Sequence, residues 1–285
     1  MRSIAVDVGP RRILLVLDRF KKLSPDTRQA EQSIVKTLLS FARPDDQFAL
    51  ITVRGPQQFV PFTKDRDEIL RAVATEDKSA PMAAGVLATL LKNIEVFGSP
   101  QPGDAIVAIA AGLGHNRSSR SHQFTSALLQ RHIRFFGIAL GPVARYSLNP
   151  LNRTYTIFQS SGPNSSLIAM MTPLSETGDH DFQPLTVATG GFVLEAMNRN
   201  PYKPEKFKDP QVVSRINTQT KSIFALVAKY YRLEIEAPKP GRWYLGLSDD
   251  TRKTAPGVLL LYPHELWPTS AGCGMTNSSK QSEAN

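Results

Sequence analysis

The sequence predicts an α/β fold: a doubly wound, mainly parallel sheet flanked by helices, with a C-terminal antiparallel β extension. Three observations predict it. Ile13-Leu14-Leu15-Val16-Leu17 is an unbroken apolar run that ends at Asp18, the pattern of a strand buried on both faces. Up to Leu140, apolar runs and helically spaced stripes alternate as β-α-β-β-α-α-β-α-β. Beyond Lys229, Tyr230-Tyr231-Arg232-Leu233-Glu234-Ile235-Glu236 alternates apolar and charged residues, as a half-exposed strand requires.

Each element follows from local chemistry. Ser24-Pro25-Asp26 supplies a helix cap and a proline at the first helical position. Ile34, Val35, Leu38, Leu39 and Phe41 then keep helical spacing until Pro44-Asp45-Asp46 breaks it. Phe48 to Val53 is the second strand, Gly55-Pro56 turns the chain, and Phe59-Val60-Pro61-Phe62 suits an edge, where proline is tolerated. A short helix opens at Thr63-Lys64-Asp65-Arg66 and a longer one covers 82–97, its Met and Leu stripe reading as core. Asp104-Ala105-Ile106-Val107-Ala108-Ile109-Ala110 is a buried strand, 121–131 a helix and 133–140 the next strand. Right-handed crossovers bring the loops at 18–24, 111–120 and 141 onward to one face. Asp18 lies at the carboxyl end of its strand, where open α/β sheets bind ligands.

From 141 to 181 the pattern dissolves into Pro, Asn, Ser, Thr and Gly, with a short ordered segment expected at 166–171. Long insertions of this kind are commonly functional. A helix at 182–189, a strand at 192–197, a Pro- and Lys-rich loop at 198–209 and a long amphipathic helix at 211–229 follow. Strands over 230–236, 242–247 and 257–262 are expected to form an antiparallel meander. The expected division is 1–229 for the α/β domain, 230–268 for the β extension and 269–285 for a disordered, aperiodic tail.

The formal charge of +9 fits acidic partners (nucleic acid, anionic lipid, acidic protein) or simply a basic surface, since Lys and Arg are spread along the chain. The single cysteine, Cys273, forms no internal disulfide. No stretch reaches the roughly 18 apolar residues of a membrane span. Met1 to Asp7 contains no signal-peptide core.

Catalytic constellations are not expected. Gly112-Leu113-Gly114 follows a buried strand, but Arg117 stands where a dinucleotide loop needs its third glycine. His115, His122 and His132 share no ligand spacing with Cys or carboxylates. His180, Asp181 and Ser161 lack the setting of a nucleophile elbow. The basic loops Arg117-Ser118-Ser119-Arg120 and 203–208, with Tyr202 and Phe207 interleaved, are the residues best suited to phosphates.

Four stretches carry a family resemblance: Ile13-Leu14-Leu15-Val16-Leu17-Asp18; the strand pair Phe48 to Val53 and Phe59 to Phe62 with its following helix; Leu185-Thr186-Val187-Ala188-Thr189-Gly190-Gly191-Phe192; and Tyr230-Tyr231-Arg232-Leu233 with Leu261-Tyr262-Pro263. Over residues 11–268 the chain resembles von Willebrand factor A-like domains, most closely the VWFA-related domains of acidobacterial secreted proteins. In such domains a D-x-S-x-S loop, a threonine and a second aspartate hold a divalent metal that accepts a partner's carboxylate. This chain keeps Asp18 alone. Phe20 and Lys22 hold the serine places, Ser79-Ala80 falls near the threonine place, and Ala111 or its neighbour holds the second aspartate place. Since a hard cation needs several oxygen ligands, neither a metal nor any other cofactor is expected.

The resemblance therefore implies a non-enzymatic protein-binding, adhesion or scaffold module with a degenerate metal site. Its expected binding face comprises Asp18, Phe20, Lys22, Ser79, His115, Asn116 and Arg117, with the 141–181 insertion beside them. Lys22 is a candidate tethered cation for Asp18. The expected partner is a protein, not a small molecule. A basic module binding nucleic acid or another polyanion is the alternative, and a metal-dependent adhesion domain with an unorthodox site the second alternative. The resemblance implies an extracytoplasmic location; the absence of a signal core leaves a cytoplasmic one open.

Overall fold

A computed structural model describes residues 3–6, 9–19, 25–53, 58–75, 86–110, 118–140, 145–149, 154–158, 170–173, 185–186, 188–197, 199–200, 203–234, 241–242 and 265–266. In chain order the elements are β1 (Ser3–Val6), β2 (Arg12–Asp18), α1 (Pro25–Ser40), β3 (Gln47–Val53), β4 (Phe59–Thr63), α2 (Arg66–Ala74) and α3 (Val86–Asn93), which tightens into a 3-10 turn (Ile94–Phe97). They continue with β5 (Ala105–Ala110), α4 (Ser118–Gln130), β6 (Arg134–Ala139), β7 (Arg145–Asn149), β8 (Thr154–Phe158), β9 (Met170–Pro173) and β10 (Val193–Glu195). The last are β11 (Arg199–Asn200), β12 (Lys203–Pro204), α5 (Pro210–Ala228), β13 (Tyr231–Glu234), β14 (Gly241–Arg242) and β15 (Glu265–Leu266).

The apolar runs assemble into one six-stranded sheet of order β10-β6-β5-β2-β3-β4. Five strands are parallel and β4 runs antiparallel at one edge. Pro61 lies within that edge strand, where a missing N–H costs no central ladder bond. Leu15 lies opposite Leu50 on one side and Val107 on the other, which places β2 at the centre. Its side chains alternate between two cores. Ile13, Leu15 and Leu17 pack with α1, α2 and α5, whereas Leu14 and Val16 pack with α3, α4 and the 3-10 turn. Helices on both faces explain why the strands are apolar without alternation.

The helices show why these sequences stop and start. Asp65 caps α2 by accepting from the N–H groups of Asp67 and Glu68, and Asp209 caps α5, with Pro210 in the first turn. The glycines of Thr189-Gly190-Gly191 are demanded by geometry. Gly190 takes φ 73°, in the left-handed region. A Cβ on Gly191 would lie 1.8 Å from the carbonyl oxygen of Phe135, so only glycine lets this turn reach β6. Thr189 Oγ1 accepts from the Phe135 N–H at 3.0 Å and donates to Leu185 O at 2.8 Å. The motif that carried part of the resemblance thus docks β10 against the sheet.

Several sequence expectations are corrected. The 141–181 insertion contains a three-stranded antiparallel sheet, β7-β8-β9, where a long irregular loop was expected. Tyr, Thr, Ile and Phe in Thr154-Tyr155-Thr156-Ile157-Phe158 favour strand, but their mixture with polar residues hid the pattern. Of the short ordered segment expected at 166–171, Met170 and Met171 belong to β9; the rest lies outside the described residues. The 198–209 loop contains a short hairpin, β11-β12. β1 was not expected at all and pairs antiparallel with β13, Ile4 opposite Leu233. A pairing across the whole chain leaves no local signal. The strands expected over 242–247 and 257–262, apart from Arg242, and the tail lie outside the described residues.

Candidate functional site

The parallel strands all point one way, so their carboxyl ends form one edge of the sheet. The connections diverge at β2, toward β3 on one side and β5 on the other. This is the switch point of an open α/β sheet, and Asp18 ends the strand there. Asp18 is buried, with 1% of its surface exposed.

The residue after it builds the site. Arg19 is also buried. Its N–H donates to Val53 O at 2.8 Å, extending the β2–β3 ladder by one bond. Its guanidinium follows the side of Leu15 and Leu17 toward α1, where Nη1 lies 2.9 Å from Glu31 Oε2. Nη2 donates to Val73 O at 2.7 Å, satisfying a carbonyl in the last turn of α2. Nε has no hydrogen-bond partner among the described residues. One residue, through its main chain and its guanidinium, therefore ties together the ends of β2, β3 and α2 and the second turn of α1.

Glu31 is fully buried, and burial pushes its carboxyl from 4.5 up to about 7. The Arg19 charge opposes that shift and the Asp18 charge adds to it. Asp18, Arg19 and Glu31 thus form one electrostatic group at the switch point. Thr27, one turn before Glu31 on the same helix, is buried beside the core as well.

The amino edge of the sheet holds a different set of charges. Arg11 forks onto Asp46, with Nε to Oδ1 at 2.8 Å and Nη2 on Oδ2. Arg12 forks onto Asp104 at 2.8 and 2.6 Å. Burial raises the Asp104 carboxyl, and Arg12 only partly offsets it. Burial works upward on Asp46 too, but hydrogen bonds from Arg11 and the Arg43 N–H outweigh it and hold that carboxyl below 3.8. Arg134 donates to Leu226 O and Val227 O at the end of α5 and stacks over Tyr230. These pairs stitch the start of the strands together.

Around the carboxyl edge, Asp26 Oδ1 accepts from the Phe207 N–H at 3.0 Å. Arg215 donates to Ala196 O at 3.1 Å and pairs with Glu205. Part of the basic 203–208 stretch is thereby anchored to the start of α1, with Lys206 and Lys208 exposed. Among the described residues Arg71 and Arg131 face carboxylates, and Arg66 donates to main-chain carbonyls.

Of the expected binding face, the structure places Asp18 at the switch point. Phe20, Lys22, Ser79, His115, Asn116 and Arg117 lie outside the described residues. The residue that follows Asp18, Arg19, is a described cation at this edge. His122 and His132 are exposed on α4 and in the turn after it. Ser161, His180 and Asp181 lie outside the described residues. No three His, Cys, Asp or Glu side chains among the described residues form a group able to hold a metal ion. Sequence reasoning missed Arg19 and Glu31. Glu31 had a legible signal: it falls on the stripe of Thr27, Ala30, Ile34, Val35 and Leu38, a charge where the helix must be buried.

No family model matches this chain, and no curated protein matches it. Among solved structures it is similar to an aerotolerance-related membrane protein from Bacteroides fragilis, at 14% identity and TM-score 0.45, over 74% of this chain and 99% of that one. It is similar to proximal thread matrix protein 1 from the mussel byssus, with a zinc-occupied MIDAS motif, at 13% identity and TM-score 0.49 over 80% and 49% of the two chains. A von Willebrand factor type A structure from Catenulispora acidiphila gives 13% identity and TM-score 0.39 over 48% and 36%. The chemistry of the site rests on this chain's own residues. The strand order, the antiparallel edge strand and the aspartate at the switch point together give a von Willebrand A-like, doubly wound α/β fold.

Proposed function

We propose that this chain is a non-enzymatic protein-binding module of von Willebrand A type, in adhesion or as a scaffold, that works without a metal ion. The observation that carries the reading is the state of the switch point. Its buried charges are taken up within the protein, Glu31 by Arg19 and Arg19 by the end of α2. The donor set does not fit a divalent cation. Asp18 is one carboxylate and Ser79 one hydroxyl near the threonine place, while Phe20, Lys22 and Ala111 bring no side-chain oxygen. The contact surface is the carboxyl edge, with the insertion that follows β6 beside it. By the resemblance, the module acts outside the cytoplasm; no described helix is long and apolar enough to cross a membrane.

The test is partner capture on the immobilised chain in the presence of a chelator. Proteins retained by the native chain, and lost when Lys22→Glu and Arg117→Glu are combined, support the reading. Equal retention by both chains, or retention only after Mg²⁺ or Ca²⁺ is added, overturns it. The exposed Lys206 and Lys208, held beside α1, favour a polyanion as the second reading. That reading requires retention on heparin and an affinity that falls steeply with salt.

A further inference from the structure

Charged groups buried at the mouth of a sheet need a reason to be there. An arginine and a glutamate cost free energy to bury, and a well-packed apolar pair commonly does as well or better for stability alone. The Arg19–Glu31 ion pair sits at the one place where the connections of the sheet diverge, and each contact of Arg19 reaches a different element. The Arg19 N–H holds β3 through Val53 O, Nη1 holds α1 through Glu31, and Nη2 holds α2 through Val73 O. The segments that follow Arg19 and Thr75 both leave from this clamp.

We infer that Arg19 is the resident cation of the carboxyl edge, a tethered positive charge that fixes the arrangement of β2, β3, α1 and α2 where an exchangeable metal ion would otherwise be required. The inference rests on the metal-independent reading above and supplies its physical cause. A bound cation works by drawing several oxygens to one point. Arg19 draws a carboxylate and a helix-terminal carbonyl to one guanidinium, and its own main chain adds the bond to β3. Being covalently attached, it cannot be removed by a chelator. It acts on the edge by positioning, not by touching a partner, since 5% of its surface is exposed. Lys22, the candidate that the sequence offers for this role, is not needed for it.

A double-mutant cycle at pH 8 tests the clamp, with Arg19→Met, Glu31→Gln and the combined variant followed by thermal unfolding. Arg19→Met leaves Glu31 buried without its cation and lowers Tm by about 10 °C. The combined variant loses less than the sum of the single losses. Hydrogen exchange supplies the readout that general destabilisation would not give. In Arg19→Met and in the milder Arg19→Lys, the last turn of α2 and the start of α1 exchange faster, while the amino edge around Arg11 and Arg12 keeps its protection. Additive losses, or faster exchange spread evenly over both edges, overturn the clamp. Native protein is melted alongside with and without Mn²⁺. A saturable rise in its Tm overturns the metal-independent reading itself. Additive losses with an indifferent native protein overturn the clamp alone.

Discussion

Replacing Glu31 with glutamine isolates the proton that the carboxyl edge holds. Glu31 is fully buried on α1, facing Arg19 and within reach of the Asp18 charge. Its folded-state value of about 7 stands against 4.5 for the free group, a difference that corresponds to about 3 kcal/mol. The sign follows from proton binding. Between these two values the folded protein holds the proton and the unfolded chain does not, so the proton favours the fold. That contribution is complete below pH 4.5 and is lost as pH rises through 7. Glutamine keeps the shape of the protonated acid and has no proton to release. Urea unfolding followed by far-UV circular dichroism from pH 5 to pH 8 reads the effect. The native midpoint falls by about 1 M or more across this window at constant m, and the Glu31→Gln midpoint stays nearly level. Asp104, also raised, titrates alike in both proteins and cancels in the comparison. The same decline in both proteins would refute the reasoning.

Other perturbations probe the rest of the structure. Gly191→Ala drives a methyl into the Phe135 carbonyl and costs more than about 3 kcal/mol in urea melts. Thr189→Val removes two buried hydrogen bonds behind the same turn and costs about 1–3 kcal/mol by the same assay. At the amino edge, Asp46→Asn leaves Arg11 without its partner and lowers stability by about 3–5 kcal/mol at pH 7. Because the folded Asp46 value is lowered, its contribution is present above pH 3.8 and lost as pH falls. Acid titration of the variant therefore shows a smaller loss below pH 4 than the native protein.

The fold was legible where burial writes a repeated pattern. Leu14, Val16, Ile106 and Ala108 sit in strands covered on both faces, so their runs are apolar throughout. α1 and α5 carry stripes that a period of 3.6 residues reveals. What was not legible depends on distant partners. β1 is short and becomes a strand only against β13 from the far end of the chain. β7, β8 and β9 are polar enough to read as loop until they pair with one another. The site divides in the same way. Asp18 stands out because it ends an apolar run. Arg19 looks like the first residue of a basic loop, and its burial becomes visible only when Glu31 and the end of α2 are brought to it. The glycines of Thr189-Gly190-Gly191 were seen as a motif, but the Phe135 carbonyl that requires them is 56 residues away in sequence and 1.8 Å from the missing methyl.

The most direct test of a metal-independent edge is thermal unfolding of chelator-treated protein against millimolar Mg²⁺, Ca²⁺ and Mn²⁺. A cation that binds the folded state must stabilise it, by about 2.7 kcal/mol at a hundredfold excess over its Kd. No shift is predicted with any of the three ions. A saturable rise in Tm that disappears in Asp18→Ala would contradict the account and make Asp18 a ligand of a metal-dependent adhesion site.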